Sequence, residues 1–485
     1  MPVINTNTGS LYGLMNLNKT ENLLNEASQR LSSGKKLNNA TDDAAGMSIQ
    51  TRMTSQVMSL NMAVKNANDG MSMINSVEGS LDELTNMLQR MRELSVQSAN
   101  DTNNGTDRGF IQDEINQLQA EITSVSNRSQ FNGSNTLDGT FVNKRLQVGP
   151  NSGQYVTFSV DSVNAASLGA YVKTGTTKEA ATAAATPTAN TNTTAEDVTI
   201  NGKGSSTAIA AAAGNTAKTI AGGINAVSGN TGVTAKAQTF AKFLSTAANA
   251  TYSVKINGTS TGNFTIGTAS VGDAVKVINQ VSGSTGVTAS ASADGTFVTL
   301  YNATGEDITV ENESSGTDLD VVAVGYDGTT AGSTIISLAA AAGNDATRVQ
   351  GNIQLSSAKS FSVTQAGTPA LGYFVSGSST LNALTGIDVK SQSTASNAIA
   401  TIDGALEKVS SMRAELGALS NRLGYTVSNQ TNIATKTEEA LSRIVDADFA
   451  QETAKLTKAQ ILQQAGTAML AQANQSKQTV LALLA

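Results

Sequence analysis

Apolar residues recur four and three apart from Met53 onward: Met53, Val57, Leu60, Val64, Ala67, Met71 and Ile74. After one extra three-residue step come Val77, Leu81, Leu84, Leu88, Met91 and Leu94. That spacing is a heptad seam with a single stammer, and it predicts a helix of roughly 60 residues, about 90 Å long, lying against other helices. Two further seams supply partners. Ile111, Ile115, Leu118, Ile122 and Val125 predict a shorter helix, and Ile402, Leu406, Val409, Met412, Leu416, Leu419 and Leu423 predict one from the far end of the chain. Docking them contributes roughly 1.5–3 kcal/mol per well-buried Leu or Met, so the two chain ends must meet in space.

Polar positions between seam residues raise a different question. Gln89, Arg90, Glu93 and Gln97 form a row on one side of the long helix while Leu88, Met91 and Leu94 point the other way. Such a row is either the wet face of a bundle helix, which is the default for it, or an interaction surface. At the extreme ends the pattern is weaker. Leu17, Leu24 and Leu31 are seven apart, and Ala459, Leu462, Gly466, Met469, Ala473, Ser476, Val480 and Leu483 alternate three and four. A stripe half made of small residues buries little area, so these ends are expected to order only when a partner covers them. Between start and rod, NNATDDAAG offers Thr41 or Asp42 as a helix N-cap with acids in the first turn.

Between about residues 172 and 394 the pattern changes to short alternating runs such as FVTLYN and YSVKING among Gly, Thr, Ser, Asn and Ala, which predicts strands and turns. An internal repeat is visible. VTINGKG at Val198 with VSGNTGVTA at Val227 returns as VKINGTS at Val254 with VSGSTGVTA at Val281. Each copy, about 198–240 and 254–312, reads as strand, short helix, strand. The Ala-rich tract Glu179 to Asp197 reads as a linker. The expected fold is therefore mainly α with a strand-rich insert: a long antiparallel helical bundle or coiled-coil rod from both chain ends, and internally repeated central domains.

Composition sharpens this picture. The four prolines, Pro2, Pro150, Pro187 and Pro369, leave both arms free for long helices. There is no Cys and no His, which removes disulfides, thiolate sites, the commonest near-neutral acid/base and the commonest imidazole ligand, so an enzyme is disfavoured. The net charge of −7, with scattered basic residues, points away from nucleic acid. No apolar run is long enough to span a membrane, and the start has no Sec-type signal pattern, so export, if it occurs, needs no cleaved leader. The acidic run Glu306, Asp307, Glu311, Glu313, Asp318 and Asp320 matches no calcium-loop spacing, and no catalytic, cofactor or metal site is expected.

Both arms resemble bacterial flagellin. The likeness lies in INTNTGSLYGLMNLNKT, RLSSGKKLNNATDDAAGMSI, NANDGMSMINSVEGSLDELTNMLQRMRELSVQSANDTN and IQDEINQLQAEITSVSNRSQFNG at one end, and in the long string from LGALSNRLGYTVSNQTNIATKTEEALSRIVDADFA to the last residues at the other. The centre resembles duplicated inserts found in some flagellins. The resemblance implies a filament subunit exported unfolded through the flagellar type III channel, secreted and extracellular. It implies inner-tube segments at 1–41 and 441–485, a helical rod at 42–171 and 395–440 with a β-hairpin near 145–160, and a surface-exposed variable region at 172–394. Implied partners are other copies of the chain, hook-associated and cap proteins, an export chaperone at the C-terminal segment, and the host Toll-like flagellin receptor. The implied receptor or subunit interface is Leu88, Gln89, Arg90, Glu93, Leu94, Gln97 and Glu114; the assembly seams are Leu17, Leu24, Leu31, Leu462, Met469, Val480 and Leu483. A hook-associated junction protein with similar arms is the alternative; a flagellin-borne enzyme or adhesin is disfavoured, since a protease insert needs an HExxH site and the chain has no histidine.

Overall fold

The computed structural model describes residues 6–100, 102–190, 197–210, 212, 214–245, 249–267, 270–292, 294–340, 343–365 and 373–482. The helices are α1 Thr8–Ser33, α2 Ala44–Ser98, α3 Gly105–Arg128, α4 Ala217–Ala226, α5 Ser228–Thr231, α6 Gly272–Gln280, α7 Ser282–Thr285, α8 Gln392–Val445 and α9 Phe449–Ala482. The chain divides into two compact units, one of Met1–Ile74, Asn143–Phe158 and Gly417–Ala485, the other of Asn75–Val142 and Ser159–Leu416. The fold is helical at both ends with a strand-rich, internally repeated centre.

In the first unit α1 and α9 run antiparallel. Asn7 Nδ2 donates to Ala473 O at 3.2 Å at one end, and Arg30 meets Glu452 at 3.5 Å at the other. The facing positions are Ser10, Gly13, Leu17, Thr20, Leu24, Ala27 and Leu31 on α1, and Glu452, Leu456, Ala459, Gln463, Gly466, Leu470 and Ala473 on α9. Both are unbroken three-four heptads, built largely of small and polar residues that let the backbones approach. Here α2 buries Leu60, Ala63, Ala67, Gly70 and Ile74, whereas Met53, Val57, Val64 and Met71 are only half-buried. Gly70 shows why. A Cβ there would stand 2.5 Å from Leu146 Cδ1, on the hairpin of strands Lys144–Gln147 and Tyr155–Phe158, so the small stripe faces inward. The cap of α2 is Asp43, which accepts from Ala45 N at 3.1 Å, and not Thr41 or Asp42; no acid lies in the first turn. Asp42 instead closes the preceding loop, accepting from the amides of Asn38 and Asn39 at 2.9 Å each.

In the second unit the strong seam of α2 is fully inside: Val77, Leu81, Leu84, Leu88, Met91 and Leu94 are all buried. Ile111, Ile115 and Ile122 of α3 and Ile402, Val409, Met412 and Leu416 of α8 are buried too. Helix α3 begins with a capping box in which Asn104 and Asp107 satisfy each other's backbone amides. Its Gln112 reaches the chain returning from the strand-rich region, donating to Ile387 O at 3.2 Å and accepting from Val389 N at 2.8 Å.

The two repeats have one fold. Each opens with a hairpin, Val198–Gly202 with Ser205–Ile209 or Ala250–Ile256 with Thr259–Ile266, then a helix pair (α4, α5 or α6, α7), then a strand, Thr234–Ser245 or Thr288–Ala291. The same side-chain clamp recurs: Asn225 donates to Ala235 O at 2.9 Å and accepts from Ala235 N at 2.7 Å, and Asn279 does both to Ala289 at the same distances. Gly232 and Gly286 turn the chain at φ +68° in both, a left-handed conformation that glycine adopts without strain. Strand Thr234–Ser245 joins the cores, giving Ala237 to one, with Ile200, Ile220 and Phe374, and Ala241 and Phe243 to the other, with Tyr252, Ile278 and Val310.

The predicted Ala-rich linker is not free within its described part. Ala184 forms a bridge with Ala346 on the edge strand Ala346–Val349, Glu179 accepts from the Ser333 and Thr334 amides at 3.0 Å, and Arg348 Nε donates to Thr188 O at 2.7 Å. Alanine's small side chain lets this backbone lie flat along a sheet edge and cover it.

Candidate interaction site

The polar row stands on a rigid base. Leu88, Met91 and Leu94 are buried beneath it, and Gln89, Arg90, Glu93 and Gln97 are exposed. Arg90 is half exposed and bridges two helices, its guanidinium meeting Glu114 of α3 at 2.9 Å and Glu93 at 3.2 Å. Hydrogen bonds from Arg90 to Glu114 and then to Glu93 raise its pKa above the ordinary arginine value, and an arginine is a cation throughout the physiological range. The geometry thus brings Gln89, Arg90, Glu93, Gln97 and Glu114 together as an exposed group, and sets Leu88 and Leu94 below them as support. Further ion pairs tie α2 to α8: Arg92 to Asp403 at 2.7 Å, and Arg413 to Glu78 at 2.7 Å and Asp82 at 3.1 Å.

The paired ends present a second surface. Once the α1–α9 seam is closed, Leu11, Tyr12, Leu14, Met15 and Leu23 of α1 and Phe449, Ile461, Leu462 and Met469 of α9 remain exposed, Met469 by 68%. So many large apolar side chains facing water on one helix pair mark an interaction face. Leu17, Leu24 and Leu31 lie half-buried toward α9 within the chain, and Leu462 and Met469 point outward. The side chain of Val480 and the whole of Leu483 lie outside the described residues.

The acidic run disperses. Glu306 pairs with Lys218 at 3.1 Å, Asp307 with Arg348 at 3.1 Å and Glu311 with Lys255 at 3.6 Å, while Glu313 accepts from Ser260 Oγ and Asp318 from Ala340 N. Among the described residues no group of acids converges on a metal position. Gln112, Gln119, Asn225 and Asn279, which hold backbone in place, escaped the sequence reading. Their only signal is their position beside an apolar seam residue, which polar surface positions share.

A helical body built from both chain ends, an open apolar face on the paired terminal helices and a strand-rich insert define a structural assembly subunit. The chain belongs to the bacterial flagellin family: its residues 4–142 match the bacterial flagellin N-terminal helical region, 399–484 the C-terminal helical region, and 197–248 the flagellin hook IN motif. It is similar to the B-type flagellin of Pseudomonas aeruginosa, with 38% identity, to a flagellin of Salmonella rubislaw, with 34%, and to flagellin B of Vibrio anguillarum, with 32%; each alignment covers 99% of both chains. Flagellins are structural subunits of the flagellar filament. The matched IN motif spans the first repeat, and the second repeat shares its fold.

Proposed function

We propose that this chain polymerises into the flagellar filament by covering the outward apolar face of α1 and α9 with the same segments of neighbouring copies. The observation that carries the reading is that face itself, which stays open although the α1–α9 seam inside the chain is already complete. In this arrangement residues 1–41 and 441–485 form the inner tube, 42–171 and 395–440 the rod, and 172–394 the outer surface. The chain is exported unfolded by the flagellar type III route, with a chaperone on its C-terminal segment, and meets hook-associated and cap proteins in the assembled flagellum. A hook-associated junction protein is the alternative, and near full-length likeness to flagellins favours the filament subunit over it. Replacing Leu462 and Met469 together by Glu tests the reading. Seeded polymerisation, followed by electron microscopy, is expected to stop while the monomer still melts normally; filament growth at the unmodified rate would contradict it.

A second reading rests on the exposed group around Arg90: in free monomer it is recognised by the host Toll-like flagellin receptor. Arg90→Ala is expected to weaken receptor affinity and leave the melting temperature nearly unchanged, since an exposed ion pair contributes little to stability. Unchanged affinity would leave the row as solvent-facing helix.

A further inference from the structure

Between the strand-rich region and the first turns of α8 lies a cavity of about 560 Å3 whose lining has an unusual chemistry. Its platform is aromatic. Phe240 and Tyr301 are cross-strand partners, and their rings stack with centroids 4.7 Å apart at 26°. The turn after Val324 folds over this platform: Gly328, at φ +70°, sits so close that a Cβ would be 3.2 Å from Phe240 Cζ. Gln238 fixes the turn from below, its Nε2 donating to Tyr326 O at 2.6 Å. Opposite stand the hydroxyl and amide side chains of α8, Asn397 among them.

Charge decides the ligand class. Among the described residues Asp327 is the single charged side chain on the lining, and its carboxylate is already occupied, accepting from the Thr329 and Thr330 amides at 3.0 and 2.9 Å and from both hydroxyls. A phosphate or an acidic sugar finds no counter-charge there, and a cation finds no open carboxylate. A lipid chain would strand the many hydroxyls and amides. What remains is a neutral molecule with hydrogen-bonding groups on its rim and a flat C–H face for the aromatic stack, of a size that a cavity in the usual ligand-site range accepts. We propose that this cavity binds a neutral saccharide, with the outer face of Tyr301 against the sugar ring, Phe240 stacked behind it, and Gln392 and Asn397 at its hydroxyls.

Lactose, maltose and cellobiose, each at up to about 10 mM, a level that reveals millimolar affinity, are the probes, with sialyllactose as the anionic control. Saturation-transfer NMR on the full-length monomer is expected to show at least one neutral disaccharide saturated along one C–H face. Tyr301→Leu, which keeps apolar volume and removes the flat ring, is expected to weaken it at least about tenfold. Should that variant fail to fold, Asn397→Leu on the surface of α8 serves with the same expectation. No transfer to any of the three neutral probes, transfer to sialyllactose alone, or a neutral signal undiminished in the folded variant would each overturn the proposal.

Discussion

Gln112 is a polar residue deep inside a helical core, and the two ends of its side-chain amide match two backbone groups of the returning chain. Gln112→Leu keeps the volume and leaves Ile387 O and Val389 N without their partner, so it is expected to cost about 2–4 kcal/mol in urea denaturation, and a loss below about 0.5 kcal/mol would refute the clamp. In sequence Gln112 looks like surface, because hydrophobic periodicity registers only apolar positions and a satisfied buried amide is indistinguishable from a wet one. Asp327 carries a pH signature. Partial burial alone would raise its pKa, but hydrogen bonds led by those from Thr330 bring it down from 3.8 to about 2. A carboxyl depressed on folding stabilises above its unfolded pKa and loses that contribution as pH falls toward its folded one. The stability difference between the unmodified chain and Asp327→Asn is therefore expected to be full near neutral pH and to shrink between pH 3.8 and about 2; a difference independent of pH would contradict the assigned hydrogen bonds.

The seams explain which elements are legible at the next scale. Leu81, Leu84, Leu88, Met91 and Leu94 are large, and large residues spaced by heptads are the residues that end up inside. Along residues 53–74 and in α9 the rule holds only in part: Leu60, Ile74, Leu456 and Leu470 face inward, but small residues take the positions between them. Close approach selects Gly70, Ala63 and Ala67 in one helix, and Ala459, Gly466 and Ala473 in the other, so Met53, Met71, Leu462 and Met469 lie half or fully outside. A reading that weights size follows the big residues to the outer face, and that face is where the proposed assembly contact lies. The repeat was legible from its strings, whereas the opening hairpin of each copy was missed in part because its Gly and Thr content reads as turn. Gly404 shows close approach of a helix to a strand, since a Cβ there would meet Ala170 Cβ at 2.6 Å and Ala170 Cα at 2.8 Å on the strand Gly169–Thr174. Gly404→Ala adds about 1 kcal/mol of helix propensity but overpacks by roughly 1–3 kcal/mol, so calorimetry is expected to show a net loss, and a stabilised variant would contradict the packing.

For the whole molecule, the structure says where the strand-rich region can be cut. Strand Gly169–Thr174 pairs with Thr380–Ala383, so the chain leaves the helical body and returns to it side by side, Val172 opposite Thr380. Removing 176–378 behind a short linker is expected to leave a folded, polymerising protein, because that ladder and the Gln112 clamp survive. Removing 172–394 takes both away and is expected to give a markedly less stable body; equal stability of the two deletions would contradict this division. The central claim is that the outward face of α1 and α9 is covered by other copies of the chain. Because the sequence has no cysteine, a single introduced thiol reports on that face without background. With Met469→Cys on the terminal pair and Ile335→Cys, exposed on a strand, as reference, the rate of thiol labelling is compared between monomer and seeded filament. The account predicts that the thiol at 469 reacts freely in monomer and is strongly protected in filament while the one at 335 reacts alike in both; equal labelling at 469 in filament and monomer would contradict it.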